Sequence, residues 1–240
     1  MKTLSAIFLL IFCCGAALAQ NGQEIVKTYF HVFPVKSFDY NGVFFKPTPE
    51  AEMSELRFQT LSRSIEGYDY QGAQPLTFYR EDGVNAEGVT QYRPVGQVEV
   101  NSGELLVFFS PKSPSPNDTA EFNLLGMDDS SNGLPADHVA FINFTQIPFA
   151  CRFVDKNSII QPGPNKPISV REHLKEDILI GLAITNEDSH RVVLKSRWQF
   201  NPNNRHYILL LPPARKGSFR IQAFQISEFV GRSPTLSLQQ

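Results

Sequence analysis

Cys151 is the residue whose chemical type most directly suggests reactivity. It stands in the run Phe149-Ala-Cys-Arg-Phe-Val154. A catalytic thiol needs a lowered pKa and access to solvent. Alternation along a strand instead places Cys151 on the face of the two phenylalanines, with Arg152 on the opposite face. We therefore predict that Cys151 is a small, buried core residue and that it is not a nucleophile.

The run Asp188-Ser-His190 contains the residue types of a serine hydrolase triad. Triad members, however, meet in space from separate parts of a chain, and these three are neighbours in a predicted turn. The sequence also has no Gly-x-Ser-x-Gly elbow and no Ser-x-x-Lys motif. These patterns argue against nucleophilic catalysis.

The histidines do not have the spacing of a metal site. No His-x-His or His-Glu-x-x-His motif occurs. A helical turn over 171–177 would place His173 and Asp177 on one face, but we interpret that charged segment as a solvated connection. The five histidines are His31, His138, His173, His190 and His206.

An acidic run in the middle of the chain, 128–133, offers oxygen ligands of the kind that calcium prefers. Asp128, Asp129, Asn132 and Asp137 lack the Asp-x-Asp-x-Asp-Gly spacing of a calcium loop, and we interpret the run as a polar linker. The sequence therefore assigns no metal, no cofactor and no catalytic residue.

Carbohydrate chemistry requires two carboxylates across a cleft, and 24 acidic residues without further information do not define a pair. Aromatic side chains at strand spacing could stack on sugars, although such residues are more often core or cross-strand pairs. The aromatic residues considered are Tyr68, Tyr70, Tyr79, Tyr92 and Trp198. Two glycosylation patterns, at Asn117 and Asn143, have meaning only in a eukaryotic secretory pathway.

Composition points to a sheet protein with a sizeable core. The chain has 240 residues, of which 42% are hydrophobic and 19% charged, and it contains 20 Phe against 3 Met and 1 Trp. Such a Phe-rich balance favours strands. Short apolar runs alternate with turn residues along most of the chain, which is typical of antiparallel sheets. A formal net charge of −2 and the lack of a basic patch or phosphate loop give no case for nucleic acid.

Residues 1–19 have the pattern of a secretory signal peptide. Lys2 is followed by an apolar stretch and by Ala17-Leu-Ala19, a small-x-small cleavage site of bacterial appearance. We expect an exported protein, periplasmic or extracellular, without a transmembrane segment in the mature chain. Cys151 would then be its only cysteine, so the core and not a disulfide must stabilise it.

The number and grouping of strands predict the domain organisation. About a dozen strands exceed what one sandwich usually holds, and the polar run 128–133 separates two groups. We predict an all-β protein with two tandem antiparallel β-sandwich (immunoglobulin-like) domains, 20–131 and 132–230, followed by a disordered tail, 231–240. One larger sandwich is the alternative. Val107 and Leu182 lie in runs that are apolar on both faces, which predicts central strands.

Several short motifs occur in a characteristic order between residues 76 and 200. They are Leu76-Thr-Phe-Tyr-Arg80, Phe141-Ile-Asn-Phe-Thr145, Pro148-Phe-Ala150 and Gln161-Pro-Gly163. This order resembles uncharacterised exported β-sandwich proteins of environmental bacteria. The resemblance implies export and a sandwich fold, and it implies no catalytic residues.

Two functions follow as hypotheses. The first is a non-enzymatic exported protein of the bacterial cell envelope or periplasm that binds a protein or polysaccharide partner through a β-sandwich surface. The alternative is a secreted polysaccharide hydrolase or lyase that uses carboxylates or Tyr in a sheet groove. An enzyme should show a cleft where titratable groups converge, and a binding module should show a flat or edge-strand surface.

Overall fold

The computed structural model describes residues 25–116, 118–154, 156–186, 189–215 and 217–230. The predicted signal peptide and the predicted tail lie outside these residues. Within them the fold is all-β, as predicted, and the only helical element is a 3₁₀ turn at Arg171–His173. No helix in the described residues is long and apolar enough to cross a membrane.

The first half of the chain forms two four-stranded sheets. One has the order β4-β1-β7-β8 and the other β3-β2-β5-β6. Pairing is antiparallel except between β1 and β7, which run parallel. The strands are β1 (Ile25–Pro34), β2 (Phe44–Phe45), β3 (Ser54–Glu55), β4 (Tyr68–Ala73), β5 (Leu76–Val84), β6 (Thr90–Val98), β7 (Gly103–Pro111) and β8 (Phe122–Asp128).

The second half forms two further sheets, ordered β12-β9-β16-β17 and β11-β10-β14-β15. Its parallel pair is β9 with β16, and β13 adds a short pairing to β9. The strands are β9 (His138–Asn143), β10 (Phe149–Phe153), β11 (Lys156–Ile160), β12 (Gly163–Pro164), β13 (Ile168–Ser169), β14 (Ile178–Asn186), β15 (Ser189–Trp198), β16 (Asn204–Leu211) and β17 (Gln222–Phe229).

The two halves share one topology. Without the short β13, the strands of the second half occupy the same places in their sheets, in the same chain order, as those of the first. This order differs from the immunoglobulin arrangement, in which the first strand pairs with the second and the seventh with the sixth. The sandwich architecture is therefore common to both, while the path of the chain is different. The sequence contains no exact internal repeat, although each half has a Gly-terminated hairpin followed by a strand that is apolar on both faces.

Three clusters of buried side chains hold the four sheets together. One lies between the two sheets of the first half and contains Phe30, Phe78 and Val107. A second lies between the two sheets of the second half. The third joins sheet β4-β1-β7-β8 to sheet β12-β9-β16-β17 and includes Phe108 and Tyr207, whose ring centroids are 5.9 Å apart. The four sheets thus stack in series.

This stacking explains the strands that are apolar on both faces. In β7, Val107 packs into the first-half core, and Phe108 packs into the contact between the halves. Val107 and Leu182 are both fully buried, and each lies in a strand with neighbours on both sides, as predicted. The predicted boundary at 131/132 falls in the connection between β8 and β9.

Candidate functional site

A large hollow lies on the sheet β11-β10-β14-β15. It has a volume of about 970 Å³ and covers the sheet face that points away from the second-half core. Side chains alternate along these strands, so Cys151, Leu182 and Val193 face the core while their neighbours face the hollow. We call this hollow the outer groove.

The floor of the outer groove is made of small residues. Ala150 of β10 lies opposite Ala183 of β14, and Ala183 lies opposite Val192 of β15. Two residues along β14, Gly181 has no side chain, and a Cβ placed there would meet no atom within 4 Å. At Gly181 and Ala183 the strand β14 therefore contributes almost no side-chain volume to the groove.

Aliphatic side chains border this floor. Ile159, Leu179 and Val192 are 56%, 44% and 64% exposed, respectively. Single exposed apolar residues are ordinary on a protein surface; here three of them border the same concavity. The groove is concave and not flat, and it extends over both edge strands of its sheet, β11 and β15.

Basic residues lie beside the apolar floor. Arg152 is opposite Gly181, and Gly181 is opposite Lys195, so the two cations flank the glycine in one row across the sheet. Both side chains are exposed and neither has an acidic partner among the described residues.

The acids that line the groove are already engaged. Glu176 pairs with His173 at 3.2 Å, and a carboxylate oxygen of Asp177 accepts a hydrogen bond of 2.8 Å from the Gln199 amide. Arg152 and Lys195 thus form a positive row next to the apolar row, and the groove lining also contains the acids Glu176 and Asp177.

In the first half of the chain, aromatic side chains fill the position that is equivalent to the outer groove. Its β5–β6 register shifts between Phe78 and Tyr79, and the β14–β15 register shifts between Leu182 and Ala183. Aligning these shifts places Tyr79 at the position of Ala183. Phe44, which pairs with Tyr79, then takes the position of Ala150. Two aromatic rings therefore occupy in the first half the place that is hollow in the second.

Cys151 lies below the groove floor and faces the core. It is 2% exposed, as the sequence predicted. Burial raises the pKa of the Cys151 thiol to about 11, and it outweighs the opposing effect of the Ser158 hydroxyl across the β10–β11 pair. The thiol is therefore protonated at neutral pH and is a poor nucleophile.

The histidines are dispersed, and the described residues contain no group of three or more potential metal ligands. His206 is fully buried between Ser227 and Asn201, and burial lowers its pKa. His190 contacts the Thr185 hydroxyl at 3.1 Å. Asp188, the third residue type of the suspected triad, lies outside the described residues.

The acidic run is partly buried, in contrast to a polar linker. Asp129 is 6% exposed and binds the guanidinium groups of Arg63 and Arg205. Asp137 accepts a hydrogen bond from the Asn203 backbone N–H, and an Asp128 oxygen accepts one from the Ser130 N–H. These acids thus stabilise turns and the contact between the halves.

The aromatic residues considered for sugar binding have structural roles. Tyr68 belongs to the first-half core, and its hydroxyl accepts a hydrogen bond from the Arg57 N–H. Tyr92 packs edge-on against Phe44, and Trp198 packs against the second-half core.

Asn143 is 1% exposed, and its amide closes a turn with Thr145 and Ile147. Asn117, the other residue considered for glycosylation, lies outside the described residues. The buried amide at 143 is thus committed to the fold and inaccessible to modification.

Sequence reasoning missed the outer groove. The apolar run of β14 correctly placed Leu182 in a core, but it also predicted burial of the opposite face, where Leu179 is exposed. A usable indication was present: Ala150, Gly181 and Ala183 are the small residues in strands otherwise rich in large ones. Their meeting on one face requires the strand register, which the sequence does not give.

A scan against protein-family models and a search of curated proteins found no match to this chain.

Proposed function

We propose that this protein is a non-enzymatic, exported protein of the bacterial cell envelope or periplasm that binds a partner through the outer groove. The observation that carries the proposal is an exposed sheet face whose floor is Ala150, Gly181 and Ala183 and whose borders are aliphatic. Export is supported by the signal-peptide pattern of residues 1–19. Its charge of −2 offers no support for nucleic acid as the partner.

The outer groove is concave and is lined by titratable groups, among them His173, Glu176 and His190, which is the form expected of an enzyme. The contacts of its acids nevertheless favour binding over hydrolysis. The reactive residue types near the groove are either buried, as for Cys151, or engaged by neighbours, as for Glu176 and Asp177. Apolar concavities with a few polar groups are the usual form of a binding site. The two carboxylates that line the groove, Glu176 and Asp177, are neighbours in sequence, whereas a polysaccharide hydrolase needs a pair on opposite sides of the substrate.

The test is to fill the groove with the rings that the first half carries. Ala150→Phe with Ala183→Tyr should leave the fold intact, because Phe44 and Tyr79 occupy the aligned positions. Wild type and variant are used to capture partners from the envelope fraction of the native organism, with quantitative mass spectrometry. We expect a partner enriched by wild type and lost at least tenfold by the variant.

The matched control adds the same two rings away from the groove, as Glu81→Tyr with Gln91→Phe, at exposed positions of β5 and β6. This control should capture the partner as wild type does. Equal capture by wild type and by the groove-filled variant would contradict the proposed site.

A further inference from the structure

We infer that the outer groove accepts an extended segment of a partner protein that carries an aromatic side chain and, two residues away, a carboxylate. This inference rests on the proposed function, and it specifies the class of partner. It draws on three independent features: the register of the floor, the charge of the neighbouring row and the comparison between the two halves.

The comparison between the halves identifies the aromatic group. Phe44 and Tyr79 fill the first-half position, and Ala150 and Ala183 leave the equivalent second-half position open. The two sheets share their strand order and one register shift in the same strand pair. A position that is open in the second half and filled by two aromatic rings in the first is suited to an aromatic ring supplied by a ligand.

The adjacent row identifies the charge. Arg152 and Lys195 flank Gly181 and lie two strands apart, about 10 Å across the sheet. The missing side chain at Gly181 leaves room between them for an anion. A carboxylate there would be close to two cations at once, which favours an acidic group over a neutral or basic one.

The spacing between the alanine row and the cationic row indicates that the bound segment is extended. The alanine row and the cationic row are two residues apart along β10 and β14, a distance of about 7 Å. An extended peptide presents its side chains i and i+2 on one face at the same spacing. An aromatic residue over the alanines therefore places an Asp or Glu two positions away over Gly181.

A polysaccharide partner is less well matched. Sugar rings are commonly bound by stacking on Phe, Tyr or Trp, and none of these three residue types lines the outer groove in the described part of the chain. An acidic polysaccharide could satisfy the cations but would leave the apolar floor without a complementary surface.

The test uses a displayed library of random heptapeptides selected on the full chain. Counter-selection uses Ala150→Phe with Ala183→Tyr, so that only groove binders survive. We expect enrichment of Phe, Tyr or Trp with Asp or Glu at a spacing of two. A synthetic peptide of the selected sequence should bind at least tenfold more weakly to Arg152→Glu with Lys195→Glu, and its affinity should fall with added salt.

Two controls make the result specific. A peptide with the aromatic and acidic residues adjacent, whose side chains point to opposite faces, should bind at least tenfold more weakly. Polygalacturonate, an acidic polysaccharide, is tested in parallel. If it binds wild type and is excluded by the groove-filled variant while no peptide is enriched, the peptide inference is overturned and the proposed function stands. If filling the groove affects no ligand and no captured partner, both are overturned.

Discussion

At the scale of single residues, burial decides which chemical groups remain reactive. Cys151 and His206 carry side chains of chemically reactive types, and both lie in the interior. Burial raises the pKa of the thiol to about 11 and lowers the pKa of the imidazole, so that both groups are neutral at pH 7. The exposed aliphatic residues that border the outer groove carry no reactive group.

The buried thiol gives a direct prediction. In the native protein Cys151 should resist alkylation by a thiol reagent at pH 7.5 and should label fully after unfolding in guanidinium. Cys151→Ala should lower the free energy of unfolding by about 1 kcal/mol and leave partner binding unchanged, because the thiol faces away from the groove. Rapid labelling of the folded protein, or a dimer that a reductant dissolves, would show that the thiol is accessible.

At the scale of elements, β14 separates a core from a surface within one strand. Leu182 is fully buried between β10 and β15, and Leu179, three residues earlier, faces the groove. The two leucines are chemically identical and share a strand, so they form a matched pair for measuring the energetic difference between the two faces.

Leu182→Ala should lower the free energy of unfolding by about 2–5 kcal/mol, as expected for a large-to-small change in a packed core. Leu179→Ala should change it by less than about 1 kcal/mol, because part of the side chain already contacts water. Equilibrium unfolding in urea measures both. Similar losses for the two variants would mean that the groove face is covered in the free protein.

Prediction from the sequence succeeded for features that depend on the pattern within one strand. It failed for features that depend on the register between two strands. Alternation around Cys151 and the doubly apolar run around Val107 are local patterns, and both gave the correct burial. The outer groove depends on which residue of β10 faces which residue of β14, and register is a long-range property. The shared topology of the halves was invisible for the same reason, because different side chains fill equivalent positions.

At the scale of the whole molecule, a buried ion cluster joins the halves. Arg63 of the first half binds Glu228 of β17 at 3.0 Å and also binds Asp129 of the connection. Arg205 contacts the same two acids at 3.1 Å, and the Tyr207 hydroxyl donates to Glu228 at 3.0 Å. A network of several partly buried charges is more stabilising than isolated surface pairs.

The ion cluster predicts a pH dependence. Burial alone would raise the pKa of Glu228, but the hydrogen bonds and charges of Arg63 and Arg205 outweigh it and hold the pKa below its ordinary value of 4.5. A carboxylate with a depressed pKa stabilises the fold above the ordinary value, and this stabilisation is lost as the pH falls through the depressed value.

Glu228→Gln should therefore lower the free energy of unfolding by about 1–3 kcal/mol at pH 7, and the deficit should shrink below pH 4.5. Urea titrations between pH 7 and pH 3 measure this convergence. The control is Glu66→Gln, which removes an exposed surface pair with Arg57 and should change stability by less than about 0.5 kcal/mol at any pH. If the stability deficit of Glu228→Gln stays constant with pH, the deficit comes from altered packing and not from the lost charge.

The serial stacking of four sheets also makes the molecule a rigid spacer. Packed sheets lie about 10 Å apart, so the sheet that carries the outer groove and the outermost sheet of the first half are separated by about 30 Å. Because the inner two sheets are fused by apolar side chains, the halves should reorient together and show one rotational correlation time. A ligand bound in the outer groove is then held at a fixed distance and orientation relative to the outermost sheet of the first half.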